Sequence, residues 1–418
     1  MPTNEQIRTI DTDYIRKQFP SLNTDWILMD NAGGSQTAKT VIDRINEFYL
    51  TSDVQVGGSY EASNLATERV MKAQESMATF INAADPCEVI LGSSTSLLLR
   101  ILALCLRHKF SEGDEVIVTN VDHEANIAPW VDLQNYGINV KFWNINTDTF
   151  ELNLGDLESL FTGRTRLVAV NNVSNITGTI NPIKKIAEFV HDRGALICVD
   201  GVAAAPHRPV DVQQLNVDFY AFSFYKVFGP HYSLLYGKKD ILLSIPGFNH
   251  YFITEPNEVP LKFQPGGVNY ELCHSLTGVT DYFAGVSDHH FKGSANSSLR
   301  EKILNTYSLI ESHEENLSNR LLQYFINKSN IKVIGHPYGD KAVRVPTISF
   351  IVDGTDSKEI VSKVDEYKIG IRYGDFYARR LIEYLGTAEQ NGVIRVSMVH
   401  YNTTEEIDKL IDVFEKIL

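Results

Sequence analysis

The sequence predicts an α/β protein: a large domain with a mostly parallel sheet flanked by helices, joined to a smaller C-terminal α+β domain. Three observations carry that prediction. The chain has 418 residues, more than the roughly 250–300 at which a single hydrophobic core stops growing. From about residue 88 to 237, short β-branched runs alternate with helical patterns, which requires crossover connections and a mostly parallel sheet. Beyond about residue 290 the texture changes to one long helical pattern, short strands and a closing amphipathic helix. The expected division is an N-terminal segment, 1–25, packing with the small domain, a large domain over 26–289, and a small domain over 290–418.

Taken in order, "EVIL" reads as a strand that runs into "GSSTSLLLRILALCLRH", a small-residue turn followed by an apolar helix. "EVIVTN", "LVAVNNV", "LICVD", "FYAFS" and "LLYG" read as further strands. Between two of them, "NPIKKIAEFVHDRG" predicts a helix with Asn181 as N-cap, Pro182 at the first helical position and Gly194 as the stop. Its apolar stripe is Ile183, Ile186, Ala187 and Val190. In the last third, "LREKILNTYSLIESHEENLSNRLLQYFINK" and "TTEEIDKLIDVFEKIL" carry helical periodicity. No period of 20–50 residues recurs, so a solenoid or propeller is excluded.

Composition narrows the function. Hydrophobic residues make 43% and charged residues 22% of the chain, the balance of an ordinary globular protein. A net charge of −14 repels phosphate backbones and anionic lipid, so neither nucleic acid nor a membrane surface is an expected partner. The polar N-terminus has no apolar core of the kind that drives secretion, and no stretch approaches the ~20 apolar residues of a membrane span; a cytoplasmic location is expected. Cys87, Cys105, Cys198 and Cys273 show no C-x-x-C spacing, which indicates neither a metal site nor a disulfide framework.

Four elements fall at the ends of predicted strands, where ligands bind in parallel α/β sheets. Ser94, Thr95 and Ser96 open a helix, exposing unpaired N–H groups and adding hydroxyl donors that suit a phosphate. His123 follows "EVIVTN", Asp200 ends "LICVD", and Lys226 follows "FYAFS", 26 residues beyond Asp200. Each alone has a plain structural explanation, since a lysine or aspartate after a strand is usually a solvated or turn residue. Together they fit one cofactor, pyridoxal phosphate, whose aldehyde needs a lysine Schiff base and whose ring nitrogen needs an acid.

From "LMDNAGGSQTA" to "IRVSMVHYNTTEEID", by way of "NNVSNITGT" and "SFYK", the chain resembles the class V aminotransferases, fold type I pyridoxal phosphate enzymes, and within them the cysteine desulfurase group. The resemblance implies that Lys226 carries the cofactor and that Ser223, Tyr225, Thr95 and Ser96 serve its phosphate. It makes Asp200 the partner of the ring nitrogen, His123 the residue stacked on the ring, and Asn175 a neighbour of the ring hydroxyl. Arg395, with Arg372 nearby, would take the carboxylate of an amino acid substrate. "FQPGGVNYE", with Gly266 and Gly267, and the Gly57–Gly58 loop resemble segments that line active sites across a two-fold interface, so a homodimer with shared sites is expected.

Three departures bear on the reaction. Tyr377 of "IRYGDFYARRL" stands where desulfurases carry the cysteine that takes sulfur, and no cysteine lies beyond residue 273. Ala203 replaces a residue that commonly bonds the ring hydroxyl, and Gly267 replaces a threonine that reaches the partner's phosphate. The expectation is therefore chemistry through a Cα carbanion ending in β-elimination of the carbon–sulfur lyase type, with Tyr377 donating a proton or closing the site. Aminotransfer, epimerisation and desulfuration through another thiol are the alternatives within the family. A catalytically silent scaffold is the alternative outside enzymes, and the retained Lys226–Asp200 pair argues against it.

Overall fold

The computed structural model describes residues 9–253 and 259–418; residues 1–8 of the predicted N-terminal segment lie outside that range. Thirteen strands are numbered along the described chain: β1 (Ile27–Leu28), β2 (Val89–Gly92), β3 (Glu115–Thr119), β4 (Asn139–Trp143), β5 (Thr165–Asn171), β6 (Leu196–Asp200), β7 (Phe219–Ser223), β8 (Ser233–Gly237), β9 (Ile331–Ile334), β10 (Thr347–Val352), β11 (Ile369–Gly370), β12 (Arg372–Gly374) and β13 (Val393–Ser397). Seven form the central sheet in the order β2-β8-β7-β6-β5-β3-β4. Only β8 runs against its neighbours; β7, β6, β5, β3 and β4 pair in parallel.

Period-2 alternation explains why both faces of this sheet are covered. On β6, Ile197 and Val199 enter one core and Cys198 the other; on β7, Tyr220 and Phe222 enter the first and Phe219 and Ala221 the second. Every residue of β7 and β8 is buried. Strands of this kind cannot stop at a water boundary, so helices close both faces and the free space is left at the strand ends.

The four-stranded antiparallel sheet β12-β13-β10-β9 builds the second layer. Helix Leu299–Ile326 ties the two together. Its first half sends Ile303, Tyr307 and Ile310 into the large core, and its second half sends Leu317, Leu321 and Phe325 into the small one. A 28-residue helix spans about 42 Å, enough to cross both. Ser298 and Glu301 start it with a capping box, which satisfies two of the first-turn donors.

One local expectation is corrected. The helix predicted from Asn181 begins at Ile183, with Pro182 at the cap and no side-chain capping bond. Asn181 is instead drawn to the end of β5, where its Nδ2 donates to Asn171 O at 2.9 Å and Asn171 Oδ1 at 2.6 Å. A tertiary partner thus outcompetes the local cap.

Candidate active site

A cavity with an empty volume of about 550 Å³, partly open to solvent, lies at the ends of the central strands. Ser94, Thr95, Ser96, His123, Asn175, Asp200, Ser223, Tyr225 and Lys226 all line it. These are nine of the residues singled out from the sequence, brought together from five separate segments.

The anion end is a helix start. Ser94 caps helix Thr95–Leu106 by accepting the Leu97 N–H at 3.1 Å, which leaves the N–H groups of Thr95 and Ser96 without an intrahelical acceptor. The Thr95 hydroxyl lies 2.8 Å from that of Ser223, and Ser223 lies 2.8 Å from Ser233. Three hydroxyls in a chain next to open N–H groups form a donor set suited to a phosphate.

Lys226 ends the single turn Phe224–Lys226 that follows β7. Its residue is 6% exposed, yet its amine makes no hydrogen bond or ion pair with another described residue, and Nζ lies 5.9 Å from the centroid of the Tyr225 ring. Burial, and then the charge of Arg395, push its pKa down to about 8. A buried amine with its pKa lowered in this way has the chemistry to act as a nucleophile or base.

Asp200 closes β6, one strand over from β7. Its Oδ1 accepts the Val202 N–H at 2.8 Å. Burial raises its pKa to about 6, opposed by that bond and by Lys226. Gly201 follows because the Tyr220 ring occupies the space of a side chain: a Cβ there would lie 2.0 Å from it.

His123 sits at the start of the turn Glu124–Asn126, its Nδ1 accepting the Ala125 N–H at 3.0 Å. Burial, with Lys226 and Arg395 close by, lowers its pKa to about 4, so the ring is neutral at ordinary pH. Asn175 donates from Nδ2 to the Phe376 carbonyl at 2.9 Å, while its buried Oδ1 has no partner.

Arg395 lies on β13 just beyond this group, 2% exposed. It stacks 3.6 Å over the Phe376 ring and donates to the Asn175 carbonyl at 3.2 Å. Arg372 is nearer solvent on the neighbouring β12, with 58% side-chain exposure. Tyr377 stands at the mouth rather than among the lining groups: the residue is 70% exposed, its ring lies 5.3 Å from that of His123, and its carbonyl accepts the Glu124 N–H at 2.7 Å. Gly266 and Gly267 are exposed and lie outside this chain's cavity.

Sequence reasoning missed four neighbours. Asp30 pairs with Arg395 at 3.0 Å, and Phe376 covers that guanidinium. Asn171 lines the cavity from the end of β5. Asp122 is fully buried behind it, bonded by Thr119, Asn126 and the Asn171 N–H; burial carries its pKa to about 8, with the Asn126 and Thr119 bonds opposing. "VDHEAN" held the only available signal for Asp122, an acid beside the singled-out histidine.

The arrangement fits pyridoxal phosphate: a phosphate cradle at one end, a buried carboxylate with a free oxygen at the other, an unpaired amine between them, and the unsatisfied Asn175 Oδ1 at the side. The aminotransferase class-V family model matches residues 27–410. The chain belongs to the class V aminotransferase family. An aminotransferase-like protein of Gibberella zeae is 42% identical over 97% of this chain and 98% of its own. A cysteine desulfurase-like protein of Aspergillus flavus is 32% identical over 95% of this chain and 88% of its own. Among solved structures, the apo cysteine desulfurase of Thermococcus onnurineus superposes with a TM-score of 0.85 at 27% identity, covering 98% of both chains. The class V chain thus has the fold type I architecture and is a pyridoxal phosphate-dependent enzyme.

Proposed function

We propose that this class V enzyme eliminates a sulfur leaving group from Cβ of a cysteine-derived amino acid, without a protein thiol as acceptor. The observation that carries this reading is the thiol-free cavity. None of the four cysteines lines it; Cys105, Cys198 and Cys273 are buried elsewhere and Cys87 lies in the short turn Pro86–Glu88 that leads into β2. Burial raises the pKa of every one of them, to about 11 for Cys87 and Cys105 and about 12 for Cys273, so none is a ready thiolate.

Thr95, Ser96 and Ser223, with the Ser94 turn and Tyr225, would hold the cofactor phosphate, and Lys226 would hold the cofactor through Nζ. Asp200 would pair with the ring nitrogen, His123 would cover the ring face, and Asn175 Oδ1 would meet the ring hydroxyl. When bound, pyridoxal phosphate supplies the electron sink that stabilises a carbanion at Cα. Arg395 orients the substrate carboxylate, with Arg372 beside it, through a fork that lysine cannot reproduce. Lys226 Nζ, neutral near pH 8, takes the Cα proton. The neutral His123 ring adds no competing positive charge. Tyr377 and Phe376 close the mouth and exclude water. The Cβ–S bond breaks with its electron pair leaving on sulfur, and hydrolysis of the resulting aminoacrylate gives pyruvate and ammonia.

In this reading the enzyme works in the cytoplasm as a homodimer, with Gly266 and Gly267 offering backbone donors to the partner's phosphate site. Sedimentation checks that assembly, and a fully active monomer would exclude shared sites. The reaction is tested by supplying cysteine, cystine and S-substituted cysteines to purified enzyme while following pyruvate, alanine and persulfide separately. Stoichiometric pyruvate and released thiol or sulfide is the expected result. Alanine with sulfane sulfur would overturn elimination in favour of desulfuration with an external acceptor.

A further inference from the structure

Asp30 has no part in the reaction above, yet it holds the group that selects the substrate. The parallel pairing of β1 with β11 and the bridge between Asp30 and Ser397 bring this residue beside β13. Asp30 Oδ1 lies 3.0 Å from Arg395 Nη2, and Asp30 Oδ2 lies 3.6 Å from Arg372 Nη1. Side-chain exposure rises along this row from 2% at Arg395 through 31% at Asp30 to 58% at Arg372. A carboxylate therefore stands between a buried guanidinium and a solvated one.

The donors of Arg395 are not equivalent. Nη1 is engaged by the Asn175 carbonyl, Nη2 by Asp30, and Nε is buried with no partner. A carboxylate grips guanidinium bidentately through either the Nη1–Nη2 edge or the Nε–Nη2 edge. Both edges need Nη2, the atom Asp30 occupies, and the edge not shared with Asn175 ends on the orphaned Nε. A buried arginine without a counter-charge is costly, so Asp30 stabilises the substrate-free site. A second carboxylate arriving there meets like charge at short range, and Arg372 is the nearby cation able to receive the first.

We infer that Asp30 is a specificity-determining residue, an internal carboxylate that occupies Arg395 Nη2 until the substrate carboxylate takes the Nε–Nη2 edge and sends Asp30 to Arg372. This rests on the reading of Arg395 as the substrate-carboxylate donor. Its consequence is selection: an amine lacking an α-carboxylate has nothing with which to displace Asp30.

The test uses holoenzyme and two probes, L-alanine and ethylamine, which is alanine without its carboxylate, with binding followed by the visible absorption of the cofactor. Removing a competing internal state recovers the fraction of sites it masks, so Asp30→Asn tightens L-alanine about tenfold if about one site in ten is open beforehand, while ethylamine is unmoved. Arg372→Gln, at an exposed position with little bearing on folding, weakens L-alanine several-fold in the parent and much less in the Asp30→Asn background. Arg395→Lys weakens L-alanine in either background. Unchanged or weaker L-alanine binding in Asp30→Asn, or an equal Arg372→Gln effect in both backgrounds, would overturn the inference while leaving Arg395 in its role. Unchanged binding in Arg395→Lys would remove that role and the inference with it.

Discussion

The two ends of the cavity are built by different means. The floor is regular: Asp200 and Ser223 end adjacent parallel strands, Lys226 follows within one turn, and hydroxyls linked at 2.8 Å fasten Thr95 to Ser223 and Ser223 to Ser233. The rim is irregular. Asp30 and Asn175 are brought from far along the chain to Phe376 and Arg395, and the four are joined by one ion pair, one ring stack and bonds to backbone carbonyls. Phe376 and Tyr377 even occupy the left-handed region in succession, at φ 52° and 59°, where a side chain costs roughly 1–2 kcal/mol per residue. The difference teaches that regular strand ends fix one end of the cavity, whereas the other is held by side-chain contacts between distant segments.

If the floor is the chemical end, the largest effects belong there. Lys226→Ala is expected to lower kcat by a factor on the order of 10²–10⁴, the range for a positioned proton-transfer group. Borohydride treatment of the wild type should fix the cofactor on Lys226, as mass mapping reads; an adduct on a different lysine would break the comparison at its base. Asp200→Ala should retain cofactor but slow turnover by roughly 10²–10³, comparable to loss of one preorganised electrostatic partner. Unchanged turnover would move the electron-sink role away from Asp200.

Acidity sharpens the same point. Because burial and Arg395 depress the Lys226 amine to about 8, its base form grows as pH rises through that value and is lost as pH falls below it. Exchange of the Cα proton for deuterium should climb along that limb and level off above it. His123, held near 4 by burial, stays neutral over the same range and adds no second limb there.

Smaller changes are expected at the rim. Arg380→Gln removes the two-bonded pair to Glu124, at 3.0 and 2.9 Å. Both side chains are more than a third exposed, so stability should fall by no more than about 1 kcal/mol, while amide exchange at Glu124, bonded to Tyr377 O, accelerates. Tyr377→Phe removes only a solvent-facing hydroxyl and should change stability by less than about 0.5 kcal/mol, with little change in pyruvate formation. A large fall in pyruvate formation would instead give the Tyr377 hydroxyl the proton-donor role that its sequence position suggests.

The sequence by itself determined the floor. Strands "LICVD" and "FYAFS" coincide with β6 and β7, and "EVIVTN" overlaps all of β3, because a period-2 apolar run buried on both faces admits few other structures. Residues just past such runs necessarily gather at one end of a parallel sheet, so Asp200, His123 and Lys226 were legible as a group. Tertiary structure decided what those residues touch. It moved the start of the helix from Asn181 to the Pro182–Ile183 step, since the Asn181 amide found Asn171. It placed Tyr377 at the mouth and not among the lining groups, and it set Phe376 on Arg395. It also paired Asp30 with Arg395 across 365 positions. No local pattern encodes such a pair: periodicity reports which face of an element is buried, whereas the partner of a buried charge depends on which distant strand the fold brings alongside it.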